Sequence, residues 1–278
     1  MVEEPKRAKE NNLDTTNRIK QVMKEKTGKY EFLAEPFHCD FSKRLALGHL
    51  GNHLLNAADY HAADRGFGMT HLNPQHKTWV LSRLAVEMAE IPVQYTRFCV
   101  ETWIESVMRS FTNRNFRVVD ASDPQRVYGY GRSVWALIDT DSRQPVNIET
   151  FGGKQLMDYV EPDKVCDMEK LSRVKMGKDA CLVADIPTCY SDVDVNGHIN
   201  SVKYIEHVLD LFTLDWYRKY AIRRFDIAYV SESYYGDRLK FYKEEGDDHD
   251  CMIRIMRGRG DEETETCRCK IQFKDLKD

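Results

Sequence analysis

Apolar positions recur with a helical period in two segments of the chain, one in each half. The first segment follows Gly48-His49, and its apolar face comprises Leu50, Leu54, Ala57 and Ala58. The second follows Gly197-His198, and its apolar face comprises Val202, Ile205, Leu209, Phe212 and Trp216. Steps of three and four residues place such side chains on one face of an amphipathic helix. The sequence therefore predicts one long helix in each half.

Shorter apolar runs, rich in β-branched and aromatic residues, predict strands around both helices. One run precedes each helix, at residues 30–38 and 181–190. Four runs follow each helix: 78–90, 97–107, 113–121 and 126–139 in the first half, and 223–231, 238–243, 250–257 and 264–273 in the second. A strand, a helix and four strands, present twice, predict a duplicated α+β fold in which an antiparallel sheet wraps around each long central helix.

The same pattern divides the chain of 278 residues into four parts. Residues 1–28 are charged and poor in apolar side chains, which predicts an N-terminal extension that is disordered or a short helix. Residues 29–142 and 179–278 are the two predicted domains. Residues 143–178 carry Pro145, Gly152, Gly153 and Pro162 and are interpreted as the linker.

The composition narrows the function classes. Hydrophobic residues make up 42% of the chain, which suffices for a core in each domain, and the net charge of −4 argues against a general nucleic-acid binder. The N-terminus lacks the apolar core of a signal peptide, and no apolar run approaches the length of a membrane span. The eight cysteines form no C-x-x-C pair, which is typical of free thiols in a reducing compartment. We therefore expect a cytoplasmic protein without a nucleic-acid partner.

Polar side chains crowd the segment before the second predicted helix, and their spacing raises the question of calcium. Asp192, Asp194, Asn196 and Gly197 fit the first six positions of an EF-hand loop. Lys203 occupies the twelfth position, where a bidentate glutamate should close the cage. The preceding run is strand-like and contains a proline, whereas an EF-hand needs a helix there. We therefore expect no metal ion at this segment.

The same residues can support acyl chemistry. Asp194, Asn196 and His198 stand at a predicted helix start, where free backbone N–H groups and the helix dipole stabilise negative charge. An oxyanion could bind those donors, with the Asn196 amide or the His198 ring adding another, while a carboxylate activates water or attacks a carbonyl. Residues of these types are also ordinary helix caps, so the residues alone leave both interpretations open. The first copy, at residues 42–49, has no equivalents of Asp194 and Asn196, which predicts one site per chain and a pocket wall from the first half.

Two motifs resemble those of a known family. Residues 192–204 are similar to the D-x-D-x-N-x-H-x-N-x-V-K-Y signature of acyl-acyl carrier protein (acyl-ACP) thioesterases, and residues 79–83 are similar to that family's W-V-x-[ST]-R strand. The resemblance covers roughly residues 30–273 and indicates a bacterial-type homologue of the plant enzymes. It implies a tandem hotdog fold and, without a cofactor, hydrolysis of fatty acyl-ACP thioesters to free fatty acid and carrier protein in fatty acid biosynthesis.

The resemblance also implies the site residues. The family carries a Glu-Cys pair after the second helix, where this chain has Glu232 and Ser233. A serine hydroxyl is far less acidic than a thiol and needs a dedicated base, so a thiolate mechanism has no nucleophile here. The alternative set of Asp194, Asn196, His198 and Glu232 is complete, and we predict it as catalytic, with Ser233 at most accessory. One of the two carboxylates would act as nucleophile or general base, and the resemblance leaves open which one.

Substrate contacts follow as further expectations. An acyl pocket in the first half would use apolar side chains, for which the candidates are Leu50, Leu54, Ala57, Trp79 and Trp103. Carrier protein is acidic, so Lys203 and Arg83 are candidates for docking it and its phosphopantetheine-linked acyl chain. Three alternatives stay open: an acyl-CoA thioesterase, a hotdog hydratase or dehydratase, and a non-enzymatic acyl-carrier or lipid-binding module. The preferred chain length and a possible homodimer are also left open.

Overall fold

A computed structural model describes residues 25–151, 153–171, 173–177, 179–260 and 262–276, and within them ten antiparallel strands form one sheet. The first five are β1 (Gly28–Leu33), β2 (Lys77–Met88), β3 (Arg97–Met108), β4 (Phe111–Asp120) and β5 (Val127–Asp139). The other five are β6 (Cys181–Pro187), β7 (Tyr220–Tyr229), β8 (Arg238–Glu245), β9 (Cys251–Arg259) and β10 (Glu262–Asp275). All ten predicted strands are present, with ends shifted by a few residues.

The order of the strands reveals two equivalent halves. The hydrogen-bonded order is β1-β3-β4-β5-β2-β7-β10-β9-β8-β6. Counted outward from the centre, the first half has the order β2-β5-β4-β3-β1 and the second half has the order β7-β10-β9-β8-β6. The two orders are equivalent when the strands are numbered within each half. The halves join where β2 pairs with β7, from Arg83 opposite Ala228 to Glu87 opposite Arg224. Arg224 reinforces this join, because its guanidinium lies 3.1 Å from Glu87 Oε2 and 2.6 Å from Asp226 Oδ2.

The described helices are α1 (Leu47–Asp64), α2 (Met69–Leu72), α3 (Gly153–Met157), α4 (Ser201–Leu209) and α5 (Leu214–Tyr217). The helix predicted in the first half is α1. The helix predicted through Trp216 in the second half is interrupted, since α4 ends at Leu209 and a separate turn, α5, begins at Leu214. Thr213 caps that turn by accepting a hydrogen bond from the Trp216 N–H, and an N-capping hydroxyl starts a new helix.

The two long helices lie side by side and share one core. A Cβ atom on Gly51 of α1 would lie 3.6 Å from the Val202 side chain of α4, which is an ordinary contact distance, so the two helices pack closely at this point. Buried residues of both halves, including Leu54 and Ile205, belong to one apolar cluster. The two equivalent halves of the sheet, joined edge to edge with one long helix each, confirm the tandem hotdog predicted from the sequence.

The segment expected as a linker lies against the first half. Ile148, Leu156 and Tyr159 are buried together with Leu137 of β5, and Cys166 and Met168 pack beside Trp103 of β3. The domain boundaries given above stay predictions. The extension expected at residues 1–28 lies outside the described residues up to position 24.

Candidate active site

The segment between β6 and α4 forms a tight closed loop at residues 193–199. Val193 and Ile199 pair as an antiparallel bridge, and the Asp194 N–H donates to the His198 carbonyl at 2.8 Å. Gly197 has a φ of +79°, a left-handed conformation that glycine adopts without strain. The loop therefore holds Asp194, Asn196 and His198 within one turn of chain.

The helix itself begins after these residues. Asn200 is the N-cap of α4, and its Oδ1 accepts from the Val202 N–H at 2.9 Å. Asp194 caps the loop instead, because its Oδ1 accepts from the N–H groups of Asn196 (2.8 Å) and His198 (3.3 Å). The free backbone donors expected at the helix start are thus largely engaged inside the loop.

His198 and Glu232 come together across the second half. The imidazole Nδ1 of His198 lies 3.4 Å from Glu232 Oε1, and both side chains are about three-quarters buried. The Ile199 N–H donates to the Ser233 carbonyl at 2.9 Å, which ties the loop to the segment after β7. The four predicted catalytic residues therefore share one region, although the sequence separates Glu232 from the other three.

Two further side chains hold the Glu232 carboxylate. Arg143, from the segment after β5, forms an ion pair with Oε1, and the Tyr234 hydroxyl donates to Oε2 at 3.2 Å. The Tyr234 ring also meets the His198 ring edge to face, with centroids 5.1 Å apart. Sequence reasoning missed both residues: Arg143 lies in the presumed linker and carries no local signal, whereas Tyr234 follows Glu232 by two positions.

Ser233 is placed differently from Glu232. Its side chain is fully buried and does not line the cavity described below. Its hydroxyl has no hydrogen-bond partner within the described part of the chain. A serine nucleophile needs an adjacent base, so this placement is that of a core side chain.

A cavity of about 880 Å³ runs between the two halves beside this loop. Asp194, Asn196, His198 and Glu232 all line it. Trp79 lines it as well, and the Trp79 indole N–H donates to the Phe67 carbonyl at 2.9 Å. Apolar wall residues from the first half are Leu55, Ala58, Ala62, Phe67, Leu81, Ile104, Trp135, Ile138 and Leu156.

Four residues expected in the acyl pocket do not reach this cavity. Leu50, Leu54 and Ala57 are fully buried in the shared core, on the part of α1 that faces other side chains. Trp103 is also fully buried, with the Lys164 ammonium 4.7 Å above its ring. The spacing of apolar residues identifies the buried face of a helix. It does not tell whether that face packs against other side chains or lines a cavity.

The two docking candidates lie away from the cavity lining. Lys203 forms an ion pair with Glu206 at 2.6 Å, and Arg83 is part-buried on β2 opposite Ala228. Among the residues described, no cluster of histidine, cysteine and carboxylate side chains is arranged to hold a metal ion. None of the described helices is both long and apolar enough to cross a membrane.

Two hotdog halves, one shared core and one polar loop beside a cavity define a double hotdog protein. Family models agree with this description along most of the chain. The acyl-ACP thioesterase N-terminal domain matches residues 25–150, and the acyl-ACP thioesterase C-terminal domain matches residues 177–275. The chain belongs to the acyl-ACP thioesterase family.

Solved structures and curated relatives agree with this membership. An acyl-ACP thioesterase from Bacteroides thetaiotaomicron is 48% identical, with a TM-score of 0.82 over 90% of this chain and 98% of that one. The 12:0-ACP thioesterase from Umbellularia californica has the same fold, with a TM-score of 0.78 at 20% identity over 91% of this chain and 99% of that one. The palmitoyl-acyl carrier protein thioesterase of Gossypium hirsutum is 25% identical over 66% of this chain and 46% of its own length. The chain spans about half the length of the curated relatives it matches.

Proposed function

We propose that this protein hydrolyses fatty acyl-ACP thioesters to free fatty acid and holo carrier protein. The observation that carries the proposal is the His198–Glu232 contact of 3.4 Å beside a cavity with a largely apolar wall. Relatives named as palmitoyl- and oleoyl-acyl carrier protein thioesterases support the same substrate class. The reaction would take place in the cytoplasm during fatty acid biosynthesis, with no nucleic-acid partner.

His198 is proposed as the general base and Glu232 as the group that orients it. Glu232 already contacts His198, Arg143 and Tyr234, which favours an orienting role over nucleophilic attack. With the proton on Nδ1, the nitrogen that faces Glu232 Oε1 at 3.4 Å, the Nε2 atom of His198 is the basic nitrogen. It has no partner in the part of the protein described, and it takes a proton from water as the water oxygen attacks the thioester carbonyl carbon.

The tetrahedral intermediate then collapses. The C–S bond breaks, and the proton on Nε2 passes to the leaving sulfur, so the products are a fatty acid and a thiol and the imidazole is restored. Asn196 is proposed to hold the oxyanion, since its side chain is exposed and has no hydrogen bond to the described residues. Asp194 is proposed to fix the loop through the two backbone N–H groups that its Oδ1 accepts.

The carrier protein would deliver the thioester through its phosphopantetheine arm. Lys203 and Arg83 stay candidates for carrier docking, and the oligomeric state stays open.

The test is thiol release from acyl-ACP thioesters of several chain lengths, with wild type, Glu232→Gln and Ser233→Ala. Wild type and Ser233→Ala should hydrolyse them, whereas Glu232→Gln should lose at least about 10²-fold in kcat because the imidazole is no longer held and polarised. The Gln variant keeps the size of the side chain, so an unchanged melting temperature would assign the loss to chemistry.

Parallel substrates separate the alternatives. Equal turnover of acyl-CoA thioesters would widen the substrate class, and hydration of an enoyl thioester without thiol release would indicate a hydratase. Fatty acid binding without any turnover would indicate a binding module. Either enoyl hydration without thiol release or fatty acid binding without turnover, if found for the wild type, overturns the proposal.

A further inference from the structure

The cavity wall formed by α1 and β4 carries polar side chains as well as apolar ones. Asn52, Asn56 and Asp59 of α1 line the cavity at a spacing of four and three residues, so they share one helix face. Arg114 of β4 lines the same region from the sheet. A cavity that held only hydrocarbon would have no use for this row of polar groups.

Arg114 is a buried cation that has no ion-pair partner among the described residues. The residue is only 5% exposed, and its Nη1 donates a hydrogen bond to Thr102 Oγ1 at 3.1 Å. In the described part of the chain no carboxylate forms an ion pair with it. Burial, together with the nearby Arg65, lowers the pKa of Arg114 to about 9. A guanidinium has five N–H donors, so most of them have no acceptor within the described residues.

Asp59 is the nearby group of opposite charge. Burial raises the pKa of its carboxyl, and the attraction of Arg114 opposes that rise. The two side chains thus interact electrostatically and both line the cavity, yet they form no hydrogen bond or ion pair with each other. Asp59 has no hydrogen bond to any other described residue. Both groups therefore face the cavity, Arg114 as a buried donor and Asp59 as a part-buried acceptor.

The fold sets the distance of this pair from the reaction centre. In the sheet, β4 is separated from β7 by β5 and β2, so Arg114 is about 14 Å from the β7 edge at the usual strand spacing. Along α1, Asn52 is next to the residue that approaches α4, and Asp59 is about 10 Å further along the helix. A thioester at His198 would place the distal part of its acyl chain at Asp59 and Arg114.

We propose that Asp59 and Arg114, on the α1 and β4 side of the cavity, bind a hydroxyl group on the distal part of the acyl chain. The hydroxyl would donate to the Asp59 carboxylate and accept from the Arg114 guanidinium, which satisfies both groups without adding charge. An unsubstituted chain would leave both groups desolvated without a partner, which is unfavourable. A terminal carboxylate would satisfy Arg114 but would be repelled by Asp59. The proposal rests on the proposed thioesterase function and specifies its substrate class.

Binding of free fatty acids tests the subsite without requiring turnover. Two acids of equal chain length, one carrying a hydroxyl on a distal carbon, are titrated into wild type while the fluorescence of the cavity tryptophans Trp79 and Trp135 is followed. The hydroxylated acid should bind at least about tenfold more tightly, as expected when a site built around a hydroxyl meets an analogue that lacks it. Equal affinities, or preference for the plain acid or a dicarboxylic acid, would overturn the proposal.

Variants assign the effect to the subsite. Asp59→Leu removes the acceptor on the cavity wall and should abolish the preference, with the plain acid binding as well as the hydroxylated one. Asp64→Asn on the same helix is the control, because Asp64 accepts a hydrogen bond from Tyr30 and does not line the cavity. Its preference should equal that of wild type. A preference that survives in Asp59→Leu would contradict the assignment.

Turnover separates this proposal from the proposed function. Thiol release is measured with carrier-protein thioesters of the same two acids. Hydrolysis of both with equal kcat/KM would support the thioesterase function and overturn the hydroxyl subsite. No hydrolysis of either, combined with selective binding of the hydroxylated acid, would overturn the thioesterase function and leave the subsite supported.

Discussion

Leu54 and Leu55 are neighbours on α1 but serve different environments, since Leu54 is fully buried in the shared core and Leu55 lines the cavity. Leu54→Ala should destabilise the protein by about 2–5 kcal/mol, because it leaves a void among packed side chains. Chemical denaturation measures this change. The relative turnover of different chain lengths should stay as in wild type.

Leu55→Trp should act on the ligand instead. The larger ring would occupy part of the cavity, so the longest acyl chains should lose kcat/KM more than the shorter ones do. A series of acyl-ACP thioesters of increasing length measures this shift. If Leu55→Trp reduced all lengths equally, Leu55 would not contact the acyl chain.

Asn196→Ala should reduce kcat by about 10²–10³-fold if its amide stabilises the oxyanion. Because the side chain has no hydrogen bond to the residues described, its loss should leave the melting temperature unchanged. Steady-state kinetics at saturating substrate gives the result. An unchanged kcat would remove Asn196 from the oxyanion role.

Arg143→Gln should have a much smaller effect than Glu232→Gln. The Arg143–Glu232 ion pair is partly exposed, with Arg143 at 46% and Glu232 at 29%, and such pairs contribute under about 1 kcal/mol. The loss in kcat should therefore stay within about fivefold and should shrink at high salt. Arg126→Gln, which breaks the exposed pair with Glu90, is the control and should leave kcat unaltered. A loss as large as that of Glu232→Gln would place Arg143 in the chemistry.

The features of the fold and of the candidate site that could be predicted from the sequence are those that depend on residues close together along the chain. The helical period of apolar residues predicted α1, and short apolar runs predicted all ten strands, because secondary structure depends largely on residues that are close together along the chain. The interruption before Thr213 was missed, since the apolar period continues across the cap. Arg143 reaches Glu232 from a distant segment, and no short-range pattern reports such a contact.

His53 should make the protein sensitive to acid. Both of its ring nitrogens are buried without a hydrogen-bond partner in the described structure, and its ring lies 4.6 Å from that of Phe32. Burial, with repulsion from His38 and His49, lowers its pKa from 6.5 to about 4. Between these values the unfolded chain binds the proton more readily than the folded one, so stability present above pH 6.5 is lost as the pH falls towards 4.

His53→Phe should reduce this loss, because a phenyl ring fills the site and does not titrate. Urea unfolding of both proteins at about pH 7.5 and about pH 5 gives the slope of the free energy of unfolding against pH for each protein. His71→Gln removes an exposed imidazole and should keep the wild-type slope. Identical slopes for wild type and His53→Phe would show that other groups cause the acid sensitivity.

Two glycines in strands, Gly129 and Gly258, differ in the space available for a side chain. A Cβ atom on Gly129 would lie 2.8 Å from the Met88 Cα and still closer to the Glu87 carbonyl, whereas one on Gly258 would have no neighbour nearer than 4.0 Å. Gly129→Ala should cost about 1–3 kcal/mol by forcing β2 and β5 apart. Gly258→Ala should be near neutral. Equal unfolding free energies would contradict the tight approach at Gly129.

The pairing of β2 with β7 has a consequence for how such a protein can change. If two identical chains met at this join, every substitution would appear twice, and a wall reshaped for a new ligand would reshape the reactive loop on the other side as well. Here the join lies inside one polypeptide, so each substitution changes only one of the two halves. Selection can therefore alter the α1 side without disturbing the loop that holds His198, and this freedom accounts for a first half that carries no equivalents of Asp194 and Asn196.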